Sequence, residues 1–186
     1  MQAPETSLPE IYVQPGESHL VSWPAVLRTV LGSCVGITFF VPRLGIGALC
    51  HPMLPHCDSH RCAGTEEADL RRFVDFAIRE IARGLDSLGA QRLEAQVKLF
   101  GGCDVLPIGD NQSRPTVGHL NAKAALRVLA EEGFVIAASR LGGKAGVSIQ
   151  FRTDSGEVLL IPLSSSGVGQ NPPGRRQRMG CGEHRR

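Results

Sequence analysis

Nothing in the 186 residues is long and apolar enough to cross a membrane. The longest apolar stretch runs only from Val35 to Val41, against the ~20 residues a spanning helix needs. No charge of either sign dominates. Twenty Lys and Arg against 18 Asp and Glu leave +2, so composition gives no support for a nucleic-acid groove. The N-terminus lacks the basic segment and apolar run of a secretory signal, so the expected location is cytoplasmic. There the six cysteines, Cys34, Cys50, Cys57, Cys62, Cys103 and Cys181, are expected as free thiols, metal ligands or a nucleophile rather than disulfides. No repeat of fixed period is present. Gly142-Gly143-Lys144-Ala145-Gly146 lacks the G-K-S/T of a phosphate loop and reads as a tight interstrand loop.

What is present bounds one domain with a full core. The apolar share of 42% is ordinary for a globular chain. The expected boundaries are a flexible N-terminus over 1–10, a folded unit over 11–163 and a disordered basic tail over 164–186. Ile11 to Val13, Val26 to Leu31 and Val35 to Val41 read as strands, and Val35 to Leu49 as a hairpin turning at Pro42-Arg43-Leu44-Gly45. Apolar residues from Leu70 to Leu88 follow helical spacing, predicting a helix that begins at Thr65 and ends at Gly89. Leu93, Ala95, Val97 and Leu99 alternate as a half-buried strand. Asn121 is the expected cap of a second helix ending near Gly133. Phe134 to Ala138 reads as a strand, and Val147 to Arg152 with Val158 to Leu163 as a hairpin. Many short strands and two long helices predict an α/β protein of the α+β kind, with layered mixed sheets and helices outside.

The informative stretch is Thr29 to Pro55. A strand ends in Leu31-Gly32-Ser33 and delivers Cys34 at a glycine-flanked bend. The next apolar strand, Gly45 to Leu49, ends at Cys50-His51. A cysteine behind a tight turn and a histidine at a strand end are what a thiolate hydrolase needs. Consecutive N–H groups of Ser33, Cys34 and Val35 are candidates to hold an oxyanion. Thr29, on the strand leading to Cys34, has a hydroxyl that could fix the tautomer of His51. Taken singly, each residue has a plainer reading: a small buried cysteine, a histidine bonded to backbone, a β-branched strand residue.

A second constellation competes. Cys50, His51, His56, Cys57, His60 and Cys62 fall within thirteen positions, and thiolate with imidazole is the ligand set zinc prefers. The cluster has no paired C-x-x-C spacing, and a polar surface loop is the simpler expectation for 55–64. Cys57 and Cys62 are also close enough in sequence to pair under oxidation. No metal and no cofactor is expected.

Together these segments resemble the chemoreceptor glutamine deamidase family CheD. L-G-S-C-V at Leu31 to Val35 and G-A-L-C-H-P-M-L-P at Gly47 to Pro55 carry the likeness. Tyr12-Val13-Gln14-Pro15-Gly16, Phe100-Gly101-Gly102, Val117-Gly118-His119-Leu120-Asn121 and Leu141-Gly142-Gly143 extend it over roughly Ile11 to Leu163, most of one domain. The chain departs from the family's pattern at Ser139-Arg140-Leu141, where an acidic residue is usual, and at Gly146-Val147. The resemblance implies a deamidase that converts glutamine side chains of methyl-accepting chemotaxis receptors to glutamate. It implies Cys34 as nucleophile, His51 as general base and acid, and Thr29 as the residue orienting the histidine. The implied partners are the receptors' cytoplasmic regions and, in some bacteria, a CheC-type phosphatase. Neither nucleic acid nor membrane insertion is implied. The alternative from another class is a non-catalytic chemotaxis adaptor that binds receptors or such a phosphatase.

Overall fold

Val35 to Val41 (V-G-I-T-F-F-V) has no polar alternation, and all seven residues are buried. A strand with that pattern must be covered on both faces, and the layers follow from this. The computed structural model describes residues 7–57, 62, 64–104, 115–163 and, as backbone, 177–179. In chain order the strands are β1 (Glu10–Tyr12), β2 (Ser18–Val21), β3 (Val26–Leu31), β4 (Val35–Val41), β5 (Ile46–Cys50), β6 (Gln96–Gly101), β7 (Ile136–Leu141), β8 (Val147–Arg152), β9 (Val158–Pro162) and β10 (Gln177–Met179). The helices are α1 (Glu67–Leu70), α2 (Val74–Ser87) and α3 (Val117–Glu131).

The strands form two five-stranded sheets, ordered β1-β3-β8-β9-β10 and β2-β5-β4-β6-β7. The pairs β1–β3 and β6–β7 are parallel and the rest antiparallel. Between the sheets pack Leu27, Leu31, Phe40, Leu49, Phe100 and Phe151 with their neighbours. On the other face of the second sheet, Ile37, Phe39 and Leu99 meet Ile78 and Leu85 of α2 and Val128 of α3. The result is three layers, helices on sheet on sheet, in agreement with the α+β expectation. The chain passes from the first sheet to the second only three residues beyond β3, and Gly32-Ser33-Cys34 is that crossing.

Several local expectations are corrected. The helix predicted from Thr65 is broken at 71–73. The N–H groups of Met53 and Leu54 both donate to Arg72 O (2.7 and 3.0 Å), and Val74 N donates to Leu54 O (2.9 Å). This backbone pairing with the segment after His51 interrupts the helix, with Phe73 in an extended conformation at φ −97° and ψ 136°. Asn121 is not the cap of α3. Thr116 is, accepting from His119 N at 3.1 Å, while Asn121 lies a turn inside and is fully buried. Strand β2 was not legible from its four residues. Arg92–Glu94 is a 3-10 turn rather than the start of β6. Within the segment expected to be disordered, Gln177–Met179 pair with β9. The rest of 164–186, and residues 1–6 of the expected flexible N-terminus, lie outside the described residues.

Candidate active site

Residue alternation puts Leu27, Thr29 and Leu31 of β3 on the face toward the second sheet, all fully buried. A hydroxyl in that apolar interlayer needs partners. Thr29 Oγ1 donates to Val13 O at 2.8 Å and lies 2.7 Å from His51 Nδ1. The carbonyl can only accept, so the hydroxyl proton goes to Val13 and Oγ1 accepts from Nδ1–H. His51 therefore carries its proton on Nδ1 and leaves Nε2 as a free base. That nitrogen is buried and has no hydrogen-bond partner among the described residues.

His51 is also held by its backbone. Its N–H donates to Glu17 O (2.9 Å) and its C=O accepts from Gly16 N (2.8 Å). Gly16 has a φ of 83°, which a side chain would strain. The Gln14–Glu17 turn thus serves to seat the histidine.

Cys34 is half-buried and free. Its turn is placed by Gly102 N, which donates to Cys34 O, and Cys103 N, which donates to Gly32 O, each at 2.8 Å. Gly101 and Gly102 both have positive φ, and a methyl on Gly101 would collide with the Cys34 carbonyl oxygen. The Phe100-Gly101-Gly102 segment is therefore the socket of the cysteine turn. On its other side Val35 N donates to Pro52 O at 3.3 Å, which lays the turn along the chain leaving His51. That bond uses one of the three expected oxyanion donors. Ser33 and Cys34 N–H remain, with no acceptor among the described residues.

Burial sets the protonation states. It lowers the His51 imidazole to about 4, against partial compensation from the Val13 carbonyl and Glu17. Burial also raises the Cys34 thiol, while its own N–H beside the sulfur pulls the other way. Near neutral pH the pair is a thiol and a neutral imidazole, not a thiolate and an imidazolium. A neutral imidazole is the form that can accept a proton from a thiol within its reach.

The competing metal constellation is dispersed. Cys50 points into the core and donates to Ile37 O (3.8 Å), and burial pushes its thiol far up. Cys57 and Cys62 are joined as a disulfide, their Cα atoms 6.2 Å apart, within disulfide reach. This corrects the expectation of free thiols for that pair and removes both as ligands. His56 is exposed, and His60 lies outside the described residues. Sequence reasoning missed the Val13 carbonyl, the Gly16-Glu17 clasp and the contacts of Asn121.

A family model described as CheD chemotactic sensory transduction matches residues 53–161, downstream of Cys34 and His51. A probable chemoreceptor glutamine deamidase CheD 2 of Geobacter sulfurreducens is 42% identical over 88% of this chain and 96% of its own length. Probable chemoreceptor glutamine deamidases CheD of Maridesulfovibrio salexigens and Pseudomonas syringae pv. tomato are 32% and 36% identical, over 86% and 80% of this chain and 95% and 86% of theirs. The crystal structure of Bacillus licheniformis hypothetical protein YfiH aligns with 66% of this chain and 49% of that one, at a TM-score of 0.42 and 10% identity, a likeness that carries no argument. The matched segment, with similarity along nearly the whole length of these relatives, means that the chain belongs to the CheD family.

Proposed function

We propose that the protein is a glutamine deamidase of chemoreceptors, a protein-glutamine glutaminase that works through a thioester on Cys34. The observation that carries this reading is the Thr29–His51 hydrogen bond of 2.7 Å, which leaves Nε2 without a partner among the described residues, on a chain whose next residue, Pro52, accepts from the N–H that follows Cys34. As the Cys34 sulfur attacks the side-chain carbonyl carbon of a receptor glutamine, Nε2 takes the thiol proton. The tetrahedral oxyanion is held by the N–H groups of Ser33 and Cys34. Collapse breaks the C–N bond, and the imidazolium gives its proton to the departing ammonia. Water then attacks the thioester while His51 takes a proton from it, and returns that proton to the sulfur. The product is a glutamate side chain, with a new negative charge on the receptor. The chemistry draws on no cofactor.

Among the described residues no helix is long and apolar enough to cross a membrane. The protein would reach receptors from the cytoplasm at their cytoplasmic regions. A CheC-type phosphatase is the second partner in this reading, tested by co-purification with the full chain. The decisive experiment is intact-mass analysis of receptor cytoplasmic fragments after incubation with wild type or with Cys34→Ala. Conversion of amide to acid with wild type alone is the expected result, and peptide mapping then names the glutamines. Equal conversion by the variant would overturn the nucleophile. Binding without conversion would leave the adaptor role in its place.

A further inference from the structure

Three successive carbonyls of the cysteine turn are each engaged from inside the molecule. Those of Gly32 and Cys34 accept from backbone N–H groups of Cys103 and Gly102. The middle one, Ser33 O, accepts from a side chain, Asn121 Nδ2, at 2.9 Å. A trans peptide directs its C=O and N–H oppositely. Holding Ser33 O inward therefore holds the Cys34 N–H outward, on the side away from Asn121. Of the two N–H groups left for an oxyanion, the one on Cys34 is oriented by this single side-chain bond.

Asn121 has a second partner. Nδ2 also donates to Met53 O at 2.8 Å, two residues beyond His51. Both partners are carbonyls, so the amide nitrogen must face them and its orientation is settled. The consequence is that Oδ1 is buried without a partner among the described residues, in a residue that is fully buried. An unpaired buried acceptor lowers stability. An apolar side chain of similar size would avoid that loss but would supply no donors.

We propose that Asn121 is a positioning residue of the oxyanion hole: its amide fixes the Ser33–Cys34 peptide so that the Cys34 N–H faces the attacked carbonyl. The inference deepens the deamidase reading, and its test is chosen to stand apart from it.

Two probes react with Cys34 by different routes. p-Nitrophenyl acetate acylates it: sulfur attacks the ester carbon, an oxyanion forms, and p-nitrophenolate leaves as the thioester forms. Iodoacetamide alkylates it by displacing iodide, with no oxyanion. Both rates would be followed by intact mass on wild type, Asn121→Leu and Asn121→Ala, with Cys34→Ala as background and circular dichroism to establish folding. Two variants are carried so that a folding failure of one leaves the other to be judged. Acylation of the folded variant is expected to fall by about 100-fold, the scale of one lost oxyanion donor, with alkylation within about twofold of wild type. An unchanged acylation rate would overturn the proposal. So would a parallel fall in both rates, which would make Asn121 a general support of the thiol and histidine. If the selective loss is seen but wild type converts no receptor glutamine, the deamidase reading falls and the role of Asn121 stands.

Discussion

A hydroxyl is a weak partner for an imidazole that must become cationic. Thr29 carries no charge to offset the imidazolium, and what it provides is direction: it keeps the proton on Nδ1 and the lone pair on Nε2. Thr29→Val keeps the shape and removes the acceptor, while the Val13 carbonyl stays near Nδ1. We expect deamidation to slow by about 10- to 100-fold, less than the ~10²–10⁴ that losing the base itself would take away. Thr29→Ser should stay within a few-fold of wild type, and initial rates on a receptor fragment check both. Burial of His51 makes a second prediction. Its folded value of about 4 lies below the ordinary 6.5, so the unfolded state binds the proton first as pH falls. The neutral histidine therefore contributes its full share of stability above about pH 6.5, and that share is lost as pH drops toward 4. The difference is on the order of 3 kcal/mol. Urea unfolding across this range should show the loss, and His51→Gln should flatten it. The Thr29–His51 contact was legible because the family's motifs are local in sequence. The Val35 donor was miscounted because its partner, Pro52, is reached only by strand pairing. Asn121 looked like a cap because asparagine favours that position, and nothing local says that Thr116 takes it instead.

At the scale of elements, α3 meets the cysteine socket backbone to backbone. A methyl on Gly118 would stand 2.6 Å from Gly102 O and 2.8 Å from Cys103 O, and backbone atoms cannot step aside. Replacing glycine by alanine in a helix ordinarily stabilises by about 0.5–1 kcal/mol. Here the sign should reverse, with Gly118→Ala destabilising by about 1–3 kcal/mol, as overpacking does. Thermal unfolding measures this, and activity should fall with it because Asn121 rides on the same helix. Apolar patterning located α2 and most strands of both sheets, though not β2 or β10. It ran through the break at 71–73 because that interruption is made by a distant segment, Met53-Leu54, and leaves the apolar spacing intact. The four residues of β2 carry too short a pattern to be read, and only their pairing with β5 defines them as a strand.

For the whole molecule, the chain passes between the two sheets four times, before β2, β3, β4 and β8, and the candidate site lies at the third passage. Thr29 belongs to one sheet and His51 leaves the other, so their hydrogen bond spans the layers. Layering was legible from the many short strands beside two long helices. Which strands pair was not, because β1, β3 and β8 are joined only through contacts remote in sequence. We propose 11–163 as the folding unit. Among the described residues the segment beyond it adds three backbone residues at the β9 edge. Removing 164–186 should lower stability by no more than about 1–2 kcal/mol, the scale of one or two hydrogen bonds. Denaturant midpoints of the shortened and full chains, with deamidation rates, provide the comparison.

The inward-held carbonyls of the cysteine turn have a consequence for solvent deuterium. Val35, Gly102 and Cys103 donate their amides to fixed acceptors, and in a stable core such amides exchange only when the structure opens. Ser33 and Cys34 have no such acceptor among the described residues and should exchange from the closed state. The site would then stand out as two fast amides among slow neighbours, and any compound that fills the oxyanion hole would slow those two first. Occupancy could be read in this way before a receptor substrate is in hand.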